Sequence, residues 1–263
     1  MTVRVEQPAP RVAELVMDRP EAKNALSTDQ ARQLGEAARA LAEDPDVSVV
    51  VLASALADAF CVGADLKERN RLDDDGLRAQ RTVFVEAFAA VREIGRPSVA
   101  AVEGVALGGG YELALSCDLI VAADTAIVGL PEVSLGLVPG GGGTQLLSRR
   151  AGRSQALDLI LTGRRVAATE AYDRGLVDRL VPAGTARAAA RELAAEIARH
   201  SPVSLQAAKR AVREGFEADL ATGLSLEDRA WHEAAFSPDR REGVAAFNAK
   251  RAPQWPSWSD RVD

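Results

Sequence analysis

The chain has 263 residues, 47% of them hydrophobic and 27% charged, and a formal net charge of −6. A chain of this length buries enough surface to fold without staples, its composition excludes disordered and fibrous classes, and its charge offers no general basic field for nucleic acid or anionic lipid. With two histidines, His200 and His232, a histidine-rich metal centre is excluded by count, and Cys61 and Cys117, 56 positions apart in apolar surroundings, read as reduced buried thiols more than as a disulfide framework.

No apolar run follows a basic start at the N-terminus, and no stretch approaches the length of a membrane span, so a cytoplasmic protein with reduced thiols is expected. The apolar run Val12–Met17 reads as a strand, and 18–24, with Pro20, as a loop. Ser27 and Gln30 have capping-box spacing, and Ala31, Leu34, Ala38 and Leu41 recur at helical intervals, predicting a helix over 28–41. Residues 47–52 are nearly all β-branched, as in a strand covered on both faces. A helix over about 77–94, a strand at Ser98–Val102, a helix opening near Gly108 and a strand at Leu119–Ala123 continue the alternation. Such alternation implies an α/β core with crossover connections. After Pro182 the sequence turns alanine-rich and helical, and Trp255 and Trp258 in the tail are expected to dock on something.

Two glycine clusters, 108–110 and 140–143, carry the most specific information. Neither fits a nucleotide loop: Leu113 and Gln145 stand where the last glycine of G-x-G-x-x-G is required, and no lysine follows at the Walker position. The first cluster follows a strand and opens a helix whose first N–H groups have no internal partner, which suits donation to a developing anion. A tight packing turn is the plainer alternative. Gly63-Ala64, in the loop after Cys61, offers a second pair of small residues with the same two readings. Glu112 sits in the first turn of the helix that follows Gly110, where a carboxylate also complements the dipole, and Glu132 follows Pro131, where a solvated loop is the default. Spacing alone does not show that the two glutamates meet.

The stretch 97–114, with Cys117-Asp118-Leu119-Ile120, Gly129-Leu130-Pro131-Glu132, 139–145, Leu161-Thr162-Gly163 and Gly175-Leu176-Val177, resembles the enoyl-CoA hydratase/isomerase, or crotonase, superfamily. The resemblance runs from Asn24 to Arg251. It implies an α/β ClpP/crotonase-like fold, with β-β-α units repeated in a spiral core over 1–195 and a helical trimerisation region over 196–263. It also implies reversible addition of water to a 2-enoyl-CoA with no cofactor beyond the CoA of the substrate, no metal, no nucleic acid, no membrane, and a homotrimer or dimer of trimers. By the same resemblance Ala64 and Gly109 supply the backbone donors to the thioester oxygen, and Glu112 and Glu132 are the catalytic carboxylates. Val62, Asp65, Leu66 and Gly140 contact substrate, while Phe247 and Lys250 match positions that help hold the CoA of a neighbouring subunit. Gly140 matches the backbone group beside the carboxylates.

Val62 and Tyr111 depart from residues common in relatives and are expected to alter the acyl pocket. The run Asp73-Asp74-Asp75 lies in a region without a family pattern and is expected to face solvent or move. The alternatives are a double-bond isomerase or another acyl-CoA lyase of the same fold. An RNA-binding homologue using Arg149, Arg150 and Arg153 is also possible on sequence, and the net charge and the intact glutamates weigh against it.

Overall fold

The computed structural model describes residues 1–255. An antiparallel pair, β1 (Val3–Ala9) and β2 (Val12–Met17), leads into helix α1 (Thr28–Glu43), capped as expected by Ser27, whose side chain accepts the Gln30 N–H. Three strand–strand–helix repeats follow. They are β3 (Val49–Ser54), β4 (Ala59–Cys61), α2 (Leu66–Arg69) and α3 (Asp74–Arg92); β5 (Ser98–Val102), β6 (Val105–Leu107) and α4 (Gly109–Leu115); and β7 (Leu119–Ala123), β8 (Ile127–Gly129), α5 (Gly143–Ala151) and α6 (Arg153–Thr162). The chain then forms β9 (Arg165–Ala167), α7 (Ala168–Asp173), β10 (Arg179–Val181) and four helices, α8 (Ala186–Ala198), α9 (Pro202–Phe216), α10 (Leu220–Ala235) and α11 (Pro238–Asn248).

In each repeat the first strand enters a six-stranded sheet of order β1-β2-β3-β5-β7-β10, and the second enters a four-stranded sheet of order β4-β6-β8-β9. Side-chain alternation explains the continuous apolar runs. Val49, Val51 and Ala53 join Val99, Ala101 and Val121 against Ala190, Leu193 and Ala194 of α8. Val50, Leu52 and Ala100 point the other way, into the main core with Leu34 of α1 and Phe88 of α3. The strand expected at 47–52 runs two residues later because its ladder with β2 begins at Val12↔Val49 and ends at Met17↔Ser54.

Helix α8 therefore belongs to the core, and the boundary expected after residue 195 falls inside it. A buried ionic cluster reinforces this attachment: Glu14, fully buried in β2, accepts Arg187 at 2.8 Å and also pairs with Arg191, both from α8. Pairing is what makes a carboxylate tolerable there. The helix expected from 77 begins at Asp74, because the Asp73 carboxylate accepts the Gly76 N–H and serves as its cap. Asp73, Asp74 and Asp75 are exposed, as the sequence suggested, but as a helix start. Trp255 docks through Nε1, which donates to the Arg199 carbonyl at 2.7 Å; Trp258 lies outside the described residues. Among the described residues no helix is long and apolar enough to cross a membrane.

Candidate active site

Strands β4, β6 and β8 are parallel neighbours, so their carboxyl ends lie side by side. Ligands in open α/β sheets bind at such ends. The loop after β4 carries Val62, Gly63 and Ala64, the turn after β6 is Gly108 at the head of α4, and β8 leads through Pro131 into a 3₁₀ turn at Glu132–Leu135. A cavity of about 700 Å³ opens among them, with Ala64, Gly109, Glu112 and Glu132 all on its wall.

The backbone geometry turns two amides toward this cavity. Leu26 N–H donates to Gly63 O at 2.7 Å and Leu26 O accepts Asp65 N–H at 2.9 Å, a parallel bridge that turns the Ala64 N–H to the opposite side. Among the described residues no acceptor takes it. Gly109 is the first residue of α4, so its N–H has no helical partner and sits at the positive end of the helix. The two segments are pressed together: a Cβ on Gly63 would stand 3.4 Å from Gly109 N. Gly108 makes the turn possible. Its φ of +54° suits glycine, its N–H is tied to Gly129 O at 2.9 Å, and a Cβ there would lie 3.1 Å from Glu132 Oε1.

Glu112, in the first turn of α4, is buried, and its Oε1 accepts the amides of Gly141 and Gly143, each at 2.7 Å. Burial pushes its carboxyl above the ordinary range, and the Gly143 and Gly141 amides oppose that shift by favouring the charged form. Close approach requires glycine in this loop, since a Cβ on Gly143 would lie 2.9 Å from the same Oε1. Glu132 is in the opposite circumstance. Its Oε2 is buried without a hydrogen-bond partner among the described residues, and its carboxyl is lifted to about 7, chiefly by burial and further by the charge of Glu112. Two carboxyls facing one cavity, one held by amides and one left bare, differ in their tendency to keep a proton.

Of the other sequence-predicted residues, Val62, Leu66 and Gly140 line the cavity. Asp65 does not. Its carboxylate caps α2 by accepting Lys67 and Glu68 N–H and pairs with Arg19 at 2.8 Å, so it shapes the loop from behind. Gly140 shares the cavity wall with both carboxylates, its carbonyl accepting Arg81 Nη1 at 2.6 Å, while the amides that hold Glu112 come from Gly141 and Gly143. Tyr111 is fully buried and donates its hydroxyl to Leu176 O at 3.0 Å, away from the cavity. Helical geometry explains the difference, because Tyr111 and Glu112 are consecutive and point about 100° apart. Phe247 and Lys250, at the end of α11, are exposed and outside this cavity.

Gly141, Gly143, Arg69, Arg81, Phe84 and Phe88 were not identified from sequence. The glycine run was visible, but only the fold shows which of its amides reach Glu112. Arg149 pairs with Glu217 at 2.8 Å and Arg150 with Asp178, so the candidate RNA-binding cluster is largely neutralised. Cys61 and Cys117 are free and buried, with thiols pushed up to about 12 by burial, and neither is poised as a nucleophile. Among the described residues no group of three or more His, Cys, Asp or Glu is placed to hold a metal ion.

A family model described as enoyl-CoA hydratase/isomerase matches residues 9–258. The chain is 44% identical over 255 residues to a Mycobacterium bovis protein named "Probable enoyl-CoA hydratase echA8", covering 97% of each chain. It is 40% identical over 242 residues to an Arabidopsis thaliana protein named "Probable enoyl-CoA hydratase 2, mitochondrial", covering 92% of this chain and 80% of the other. Among solved structures, an enoyl-CoA hydratase from Bacillus anthracis superposes with a TM-score of 0.95 at 38% identity, over 97% of this chain and 99% of that one. One from Mycobacterium tuberculosis superposes with a TM-score of 0.88 at 37% identity, over 97% and 98%. With the strand-end amides and paired glutamates in place along the length that these relatives match, the chain belongs to the enoyl-CoA hydratase/isomerase family.

Proposed function

We propose that the protein is an enoyl-CoA hydratase that adds water reversibly across the double bond of a 2-enoyl-CoA thioester to give the 3-hydroxyacyl-CoA. The observation that carries this reading is the meeting of Glu112 and Glu132 on one cavity wall with the Ala64 and Gly109 amides. Attack of water on the β-carbon moves negative charge onto the thioester oxygen. Fixed N–H donors interact more strongly with that oxygen in the transition state than in the substrate, and one such donor typically contributes about 3 kcal/mol. Glu112, whose Oε1 is held by two amides, takes the proton of the attacking water. Glu132, whose burial favours the protonated form, delivers a proton to the α-carbon. Dehydration runs the same transfers backward. Water supplies every atom added, so the proposed reaction draws on no metal or cofactor, and CoA enters as part of the substrate.

The exposed apolar side chains Val212, Phe216, Leu220, Leu224 and Phe236 on α9, α10 and the turn after it support a homo-oligomer, in keeping with the trimeric arrangement the resemblance implies. The two buried free thiols support a reducing compartment, and cytoplasmic residence is part of the same proposal. Loss of enoyl-thioester absorbance with crotonyl-CoA, together with a product heavier by one water, is the expected result. A product of unchanged mass would identify a double-bond isomerase instead.

A further inference from the structure

One wall of the cavity carries two cations that do not touch the reacting glutamates, although the charge of Arg81 favours ionised Glu112. Leu77, Arg81, Phe84 and Phe88 line it from α3, and Arg69 reaches it from the end of α2. The Arg69 guanidinium carbon lies 5.8 Å from the centroid of the Phe84 ring, and its Nε donates to Gln80 Oε1 at 3.2 Å. Arg81 donates to the neutral carbonyl of Gly140 at 2.6 Å. Among the described residues neither guanidinium has a carboxylate within ion-pair distance, whereas Arg78 on the same wall is matched by Asp75 at 2.6 Å. Burial and the charge of Arg81 push the Arg69 guanidinium below its ordinary range, against the weaker attraction of Glu68, so the two cations feel each other. The nearby acids are already placed: Glu68 accepts Thr28 N–H at 2.8 Å and lies beside Gln80, and Asp74 is exposed at the rim.

We propose that Arg69 and Arg81 hold an anionic group at the far end of the acyl chain, and that the preferred substrate is a short 2-enoyl-CoA whose acyl group ends in a carboxylate. This rests on the hydratase reading above. Two cations on one cavity wall, Arg69 half-buried and Arg81 open to solvent and neither in an ion pair among the described residues, are matched best by an anion that arrives with the ligand, and guanidinium is suited to bidentate carboxylate. An acyl carboxylate and a phosphate of CoA share that chemistry. Position favours the acyl group: Arg81 holds Gly140, which adjoins Gly141, and Gly141 donates to Glu112. The cationic wall therefore borders the reacting carbons, whereas the phosphates of CoA are separated from the thioester by the whole pantetheine arm. Leu66, Leu77, Phe84 and Leu135 complete an apolar sleeve for the few carbons between.

The test compares glutaconyl-CoA with crotonyl-CoA in the wild-type enzyme and in Arg69→Leu and Arg81→Gln. The wild type is expected to favour glutaconyl-CoA in kcat/KM. Arg69→Leu should lower the glutaconyl-to-crotonyl ratio about 10- to 100-fold, the range for loss of a charged hydrogen bond, mainly through KM. A ratio that is unchanged in both variants overturns the proposal. So does an equal loss for both substrates that disappears with their 3′-dephospho-CoA thioesters, which would assign the arginines to the CoA phosphate. A wild type that hydrates crotonyl-CoA but does not favour glutaconyl-CoA defeats this proposal alone, and one that hydrates neither defeats the hydratase reading itself.

Discussion

The Gly143 amide donates to Glu112 Oε1 at 2.7 Å across 31 residues of sequence, joining the start of α5 to the start of α4. Adding a single methyl group would disturb this contact, because a Cβ at position 143 would lie 2.9 Å from that oxygen and 2.9 Å from Leu130 Cδ1. Gly143→Ala is expected to reduce kcat roughly 10- to 100-fold while KM moves less, since it displaces the group that activates water and leaves the apolar wall in place. Steady-state kinetics on folded variant protein check this, and an unchanged kcat would remove the contact from the mechanism.

Removing either carboxylate tests the division of labour directly. Glu112→Gln and Glu132→Gln should each lower kcat for hydration by about 10²- to 10⁴-fold. Because both act on one transition state, the double variant should lose little more than the worse single one. Multiplication of the two losses would mean that the residues act independently.

The proton held by Glu132 gives a pH signature with a definite sign. With its carboxyl lifted to about 7, the protonated form needed for hydration is depleted as pH rises through that value. The kcat/KM for hydration should fall across it, and that for dehydration, which needs the ionised form first, should rise. Profiles measured in both directions check the assignment. If the limbs are reversed, the roles of Glu112 and Glu132 exchange.

The same shift bears on stability. Between 4.5 and about 7 the folded protein keeps the Glu132 proton while the unfolded chain has lost it, so folding stability contributed by this group declines as pH rises through that window. Glu132→Gln is expected to raise stability near neutral and alkaline pH by about 1–3 kcal/mol and to have little effect at pH near 4. Thermal melts at the two pH values would show it, and equal shifts at both would indicate a packing effect.

Tyr111 separates structure from catalysis. Tyr111→Phe leaves the Leu176 carbonyl without its 3.0 Å donor inside the core, so a loss of about 1–3 kcal/mol in stability is expected, with kcat against crotonyl-CoA nearly unchanged. A change in substrate chain-length preference without loss of stability would return this residue to the pocket.

Much of the large sheet was legible because its strands are covered on both faces and so carry unbroken apolar runs, as at β3 and β5. The small sheet was harder to read: β4, β6 and β8 have three residues each, too few for a period to emerge. Glu112 and Glu132 could be named through the resemblance, but their meeting depends on β6 and β8 pairing across 22 residues, as in Val105↔Ile127. Glu132 reads by default as solvated because it follows Pro131 in a loop, whereas the fold turns it onto the cavity wall with its Oε2 buried. Asp65 was misplaced for a related reason. Its loop does border the cavity, but a side chain that caps the next helix must turn back toward the backbone.

The two sheets divide the molecule between permanence and change. The long strands β2, β3, β5 and β7 put no side chain on the cavity, while the short strands deliver Ala64 and Gly109 as main chain, whose N–H groups only a proline would delete. Side chains at 62, 66, 69, 77 and 81 can therefore be exchanged with little expense to folding or to the thioester contacts. A library varied at those five positions should yield mostly soluble hydratases that differ in the acyl group they accept, so that a new specificity can be selected without first rescuing the scaffold.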